Sequence, residues 1–390
     1  MTAVLADNVF DGSRWIGRAV VRWVGSLIEE VEPVRANTSR DSDYEADVVL
    51  PGLIDAAVRA VGYVERPGGM PFAPEDAFAL LSLRYGVTTV VDVGNSSEVL
   101  AHLRRSAAKG VGPRIVAAGP RLVSEATLRT DRVVDEGDVR QTLAGLAANG
   151  TAFVSIGLIE PSLRKQIGQL AAAARLTVVA SAGTGDVPGL DVVAPSGGVA
   201  GIPQLEAVSR WSVEGLLDAH DAAEAAAFLP YARHFQQRGG RVGRRMARGV
   251  LNGLYGDREA IDADERARRA AVEIAEHRCL ASSGSGAAGL VPGASLWSEI
   301  ETFERLSTTT HALAAATGSP SDWITGITGG RIAAGRPADL LFAGGIDSDA
   351  ATSDIRQHLS AVVIDGHHIE VRQLVESSDG LRRKALQEVL

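Results

Sequence analysis

The sequence predicts an α/β protein: a distorted (β/α)8 TIM-type barrel with a small β-sandwich domain formed by both termini. Three observations point there. The middle of the chain repeats short β-branched apolar runs without alternation, each followed by a helix-like stretch that ends at glycine. Strands buried on both faces and joined by helices make parallel sheets. Both ends of the chain instead alternate apolar and polar residues between turn residues, as half-exposed hairpins do. Finally, 390 residues exceed the roughly 250 of a typical barrel and leave room for an accessory domain.

The elements follow in order. Within residues 1–48, AVLADNVFDG and AVVRWVGSLIEEVEP have the period of two expected of strands. After Pro51-Gly52 the texture changes. LLSLRYG reads as a helix ending at Gly86, VTTVVDVG as a buried strand, and SEVLAHLRRSAAKG as an amphipathic helix stopping at Gly110. PRIVAAG, TAFVSIG, TVVASAG and LDVVAPS read as strands; DVRQTLAGLAANG and SLRKQIGQLAAAARL read as helices. Continuing this count gives about eight βα units up to residue 330, which favours a barrel over an open sheet. No glycine-rich loop opens a helix after the first strand, so a dinucleotide fold is disfavoured; GTGDVPG and GGVAG read as loops. RIAAGRPADLLFAGG and SAVVIDGHHIEVRQL return to short alternating strands. The predicted domains are a composite β-sandwich from 1–48 and 331–371, a barrel over 49–330, and a C-terminal helix over 372–390.

Composition narrows the function. Apolar residues make up 45% and charged residues 22%, an ordinary soluble balance. A net charge of −9 argues against a general nucleic-acid binder. No apolar run approaches the roughly 18–20 residues of a membrane span. MTAVLADNVFDG lacks a basic leader region, so a cytoplasmic protein without a membrane partner is expected. Cys279 is the single cysteine, which excludes an intramolecular disulfide and a thiolate cluster. The only lysines, Lys109, Lys165 and Lys384, lie outside site-like stretches, which removes most Schiff-base chemistry.

DVVLPGLIDAAVRA, YGVTTVVDVG, GPRIVAAG, NGTAFVSIGL, PGASLWSEIETF, HALAAATG and GRIAAGRPADLLF together resemble amidohydrolase-superfamily signatures, in family order and spacing. The resemblance spans roughly residues 1–371 and is greatest to the imidazolonepropionase-like and prolidase-like branch. It implies a barrel with one or two divalent ions held at the C-terminal ends of the strands, activating a water. Laid on this chain, the implied ligands do not appear. The first-strand histidine pair falls on Ala57 and Arg59, and the bridging lysine on Ser155. The later histidines fall on Ser181 and Pro195, and the last aspartate on Gly284 or Ser285. Alanine and proline cannot ligate through side chains, serine is a poor zinc ligand, and arginine repels a cation. No metal and no cofactor is therefore expected. The eight histidines offer no rescue: His367-His368 are adjacent and would point to opposite faces of a strand.

The candidate site residues are those that would fill the emptied mouth. Arg59 could hold a carboxylate, phosphate or enolate oxygen, or simply pair with Asp55 or Asp92. Asp92, ending VTTVVDVG, is a candidate general base or a loop-orienting carboxylate. Ser155, Ser181 and Ser285 would line the cavity as polar substrate contacts, and Trp297 as an aromatic wall or a core residue. The run YARHFQQRGGRVGRRMARG, residues 231–249, either faces an anionic ligand or is a solvated surface. The leading expectation is a metal-independent enzyme acting on an organic, anionic-type small molecule by lyase, isomerase, dehydratase or cyclase chemistry. The alternatives are a pseudoenzyme serving as scaffold, regulator or ligand-binding partner, with a protein partner possible, and a true metal hydrolase with unrecognised ligands. A homodimer is implied by the resemblance only.

Overall fold

The computed structural model describes residues 1–34, 41–58, 74–95, 97–110, 112–125, 131–148, 151, 153–156, 159–174, 176–180, 280–283, 292–324, 326–347 and 349–377. The chain begins with four strands, β1 (Thr2–Phe10), β2 (Trp15–Val24), β3 (Leu27–Pro33) and β4 (Tyr44–Pro51). Alternating units follow: β5 (Leu53–Val58), α1 (Pro74–Arg84), β6 (Val87–Asp92), α2 (Ser97–Ala107) and β7 (Arg114–Ala117). Next come β8 (Arg121–Val123), β9 (Asp131–Val133), α3 (Val139–Ala148), β10 (Phe153–Ile156), α4 (Pro161–Ala173) and β11 (Thr177–Ala180). The C-terminal part carries α5 (Ala294–Leu306), α6 (Thr309–Ala315), α7 (Gly318–Trp323), β12 (Leu340–Ala343), α8 (Thr352–Gln357), β13 (Leu359–Ile364) and β14 (His367–Glu370). A further helix covers 371–377.

The strands form three sheets. β5-β6-β7 pair in parallel, and so do β11-β10-β8-β9. The reason is legible in β6: VTTVVD is buried along its whole length, so both of its faces are covered. Local signals set the helix starts. Pro161 opens α4 where a missing N–H costs nothing, and the Thr308 hydroxyl caps α6 by accepting from His311 N at 3.2 Å.

The third sheet joins both ends of the chain in the order β14-β13-β12-β4-β1-β2-β3. Its side chains alternate between two cores. Val48 and Leu50 of β4 point with Leu341, Val362 and Ile364 into a cluster that includes Trp297, Ile300 and Leu313. Val49 points the other way, with Phe342, Val363, Val4 and Trp23. Each such buried aliphatic or aromatic side chain contributes about 1.5–3 kcal/mol. The β13–β14 turn is made by Asp365 (φ 49°) and Gly366 (φ 78°), the two left-handed residues a tight hairpin needs. The Gly366 carbonyl accepts from Trp23 Nε1 at 3.0 Å.

Three differences from the sequence expectation stand out. The described strands of the terminal domain join in one continuous sheet rather than two packed ones, because β4 pairs parallel with β1 and antiparallel with β12. β8 and β9 are only three residues each, too short for a periodicity signal, and were not anticipated. The helix over 371–377 begins directly after β14, and residues 378–390 of the predicted C-terminal helix lie outside the described residues. LDVVAPS and the 231–249 arginine run also lie outside them. Among the described residues no helix is long and apolar enough to cross a membrane.

Candidate functional site

Parallel βα units place their working groups at the C-terminal ends of the strands. Asp92 stands there, and Asp55 stands midway along its strand. Asp55 lies on β5 in register with Val90, and Asp92 ends β6 opposite Val58. Both are essentially inaccessible, at 1% and 0% exposure. A buried carboxylate needs donors, and each has found them.

Asp55 draws its donors from the distant segment 280–283. Ala56 N donates to Ala281 O at 3.4 Å, which lays that segment beside β5. Ser283 N then reaches Asp55 Oδ1 at 2.9 Å, Ser282 Oγ reaches Oδ1 at 3.2 Å, and Ser283 Oγ donates to Oδ2. Ser282 and Ser283 are buried, at 1% and 0% exposure. Sequence reasoning pointed two residues further on, to Ser285. The signal that would have found the pair is the Ser-Ser step closing the apolar run CLA, where a strand end would present hydroxyls.

Asp92 takes its donors locally. Gly94 N donates to Oδ1 at 3.0 Å and Asn95 Nδ2 to Oδ2 at 2.6 Å. The backbone is tied on both sides, with Val93 N to Val58 O at 2.9 Å and Ala118 N to Asp92 O at 3.1 Å. The carboxylate thus fixes the loop after β6 while remaining at the strand end. Asn95, 2% exposed, is a further site residue that the sequence did not single out.

Ser155 lies in β10, in register with Val179 of β11. It is fully buried, and its hydroxyl has no hydrogen-bond partner among the described residues. Trp297 does not stand as an open aromatic wall. It is 0% exposed in the core under α5, and its indole N–H donates to Tyr85 O at 2.8 Å. The cause is α5 itself, which turns Trp297, Ile300 and Phe303 inward together. Arg59, Ser181 and Ser285 lie outside the described residues.

The amidohydrolase-type divalent ion can be tested against the donors present. Ala57 carries no ligating atom, Ser155 offers a neutral hydroxyl, and Asp55 is committed to Ser282 and Ser283. Among the described residues no three His, Cys, Asp or Glu side chains converge. The donors among the described residues do not by themselves supply the several carboxylates or imidazoles that a divalent cation takes.

No protein-family model matches the chain, and neither does any curated protein sequence. Solved structures do. A Xaa-Pro dipeptidase with bound methionine aligns at TM-score 0.60 and 16% identity, covering 95% of this chain and 99% of its own. The A. niger ochratoxinase aligns at TM-score 0.63 and 14% identity, covering 95% of each chain. A bottromycin amidohydrolase aligns at TM-score 0.62 and 19% identity, covering 99% of this chain and 90% of its own. The chain therefore has the amidohydrolase-type fold, an α/β architecture of parallel strands with a separate sheet domain, along nearly its whole length.

Proposed function

We propose that this chain is an enzyme of small organic molecules on the amidohydrolase fold, working by proton transfer without a divalent ion. The reaction class is a lyase, isomerase, dehydratase or cyclase step. The observation that carries this reading is the Asp55–Ser282–Ser283 cluster. It sets hydroxyls and an amide against β5, within three residues in sequence of Ala57 and Ser285, positions where the family resemblance calls for metal ligands. Asp92 is the proposed base: its carboxylate is oriented by Gly94 N and Asn95. Val58 pairs with Asp92, and Arg59 follows Val58 in the chain, so the proposed anion-stabilising guanidinium is adjacent in sequence to the base's strand partner. Ser155, Ser181 and Ser285 complete a polar lining, and Trp297 backs it from the core. The reading includes a closed (β/α)8 barrel, supported by segment 280–283 flanking β5. It also includes a homodimer, which rests on the resemblance alone.

A second reading, a binding protein without chemistry, is favoured by the Asp55 cluster, whose serine hydroxyls are directed to the carboxylate. Dipeptidase and amidohydrolase, the activities in the neighbours' names, belong to a third reading, a metal-dependent hydrolase with unrecognised ligands. One experiment separates the three. Purified protein is assayed by mass spectrometry for bound metal, then screened in chelator against small carboxylic acids and their amides by thermal shift and product analysis. Turnover in chelator, lost in Asp92→Asn and Arg59→Ala, is the expected result. Binding without turnover supports the second reading. Stoichiometric zinc or manganese, with activity lost on chelation, returns the hydrolase and overturns the proposal.

A further inference from the structure

A cleft of about 460 Å³ opens between β9 and α3, sharing no residue with the strand-end site. That volume suits a small organic ligand. One wall is a single face of α3 and its lead-in: Asp138, Gln141, Thr142, Gly145 and Leu146. Their three- and four-residue spacing puts them on one side of the helix, while Val139 and Leu143 turn into the core. Arg132 of β9 forms the opposite side, and Pro120 and Leu146 supply apolar surface.

Three polar groups in this cleft have spare bonding capacity. The Arg132 guanidinium has no ion-pair partner among the described residues, and it does not pair with Asp138 although both line the same cleft. Asp138 spends one oxygen on a long bond from Asp135 N, at 3.2 Å. The Gln141 side chain makes no hydrogen bond within the described residues. Thr142 is only 6% exposed, and its hydroxyl lies beneath the cleft surface.

We propose that this cleft binds a free α-amino acid with an aliphatic side chain. Arg132 takes the carboxylate and Asp138 the ammonium, two opposite charges that are not joined to each other. Gln141 supplies a hydrogen bond, and Leu146 with Pro120 receives the aliphatic side chain. The occupant is a zwitterion because a simple anion would leave Asp138 repelling it, and a simple cation would meet Arg132.

Saturation-transfer NMR on the full chain tests this with L-leucine, 4-methylpentanoic acid and L-leucinamide as probes. Leucine is expected to bind in the millimolar range or tighter, with the acid and the amide each at least tenfold weaker. Arg132→Ala is expected to weaken leucine at least tenfold. Gly145→Phe supplies a blocking variant: a Cβ on Gly145 meets nothing within 4 Å, and losing a helical glycine favours α3. Retained melting temperature with leucine binding abolished is the expected outcome. Arg59→Ala should leave leucine binding unchanged. No leucine signal at about 10 mM, equal binding of all three probes, or loss in Arg59→Ala but not Arg132→Ala would overturn the proposal.

Discussion

Arg114 Nη2 on β7 lies 3.2 Å from Asp339 Oδ2, just before β12, and so ties the parallel strands to the terminal sheet. The same nitrogen reaches Asp365 Oδ1 at 2.7 Å, in the β13–β14 turn. Asp365 N completes the link by donating to Asp339 Oδ1 at 2.9 Å. Asp339 is 2% exposed, and Oδ2 accepts no directed hydrogen bond. Burial therefore pushes its carboxyl up to about 6, only partly offset by Arg114. The folded chain holds this proton more tightly than the unfolded chain does, so stability falls as pH rises from about 4 to about 6. Against Asp339→Asn, wild type should lose up to about 3 kcal/mol more between pH 4 and pH 7.5 in urea titrations. Parallel pH curves for the two proteins would contradict this.

Asp55→Asn should destabilise the fold by about 2–3 kcal/mol at neutral pH. Asparagine keeps one acceptor but turns an NH2 donor toward the Ser282 and Ser283 hydroxyls. Equilibrium denaturation reads the loss directly. A change within about 0.5 kcal/mol would mean the cluster is not the junction between β5 and segment 280–283 described above.

Trp297→Phe removes the indole bond to Tyr85 O and leaves a space in the core. A cost of about 1.5–3 kcal/mol is expected, with a melting temperature lowered by several degrees. Binding of any barrel-mouth ligand should be unaltered below that temperature. A selective loss of binding at unchanged stability would restore Trp297 to the ligand wall.

Gly366→Ala should be among the most damaging single substitutions in the terminal sheet. Its Cβ would stand 1.8 Å from Gly25 O, at a φ of +78°. Strain and backbone collision together should cost about 3 kcal/mol or more. Gly110→Ala shares the strain, at φ +71°, but has nothing within 4 Å. It should cost only about 1–2 kcal/mol. Equal melting temperatures for the two variants would show that the turn shifts to relieve the collision.

Much of the fold is legible because its signals are local. The runs VTTVVD and TAFVSI are unalternating and β-branched, and a run of that kind has to be buried on both faces. AVLADNVF and SAVVIDG, read as half-exposed strands, are instead largely buried on both faces, between two cores. Asp92 was legible because it closes such a run. Ser283 was not, because its partner Asp55 lies 228 positions away and only the folded chain brings them together. Trp297 shows the opposite error: an aromatic residue near a glycine turn carries no mark of which way its helix will rotate it. β8 and β9 escape notice for want of length, since three residues cannot display a period.

The pairing of β4 with β12 also sets the order of events during synthesis. About 290 residues separate the two strands, so at 5–20 residues per second β4 waits roughly 15–60 s on the ribosome for its neighbour. Throughout that time the strand YEADVVLP exposes an unsatisfied edge and two apolar faces. The nascent chain is thus most vulnerable to misassociation in its first fifty or so residues, and a chaperone that shields extended apolar segments would have its clearest target there.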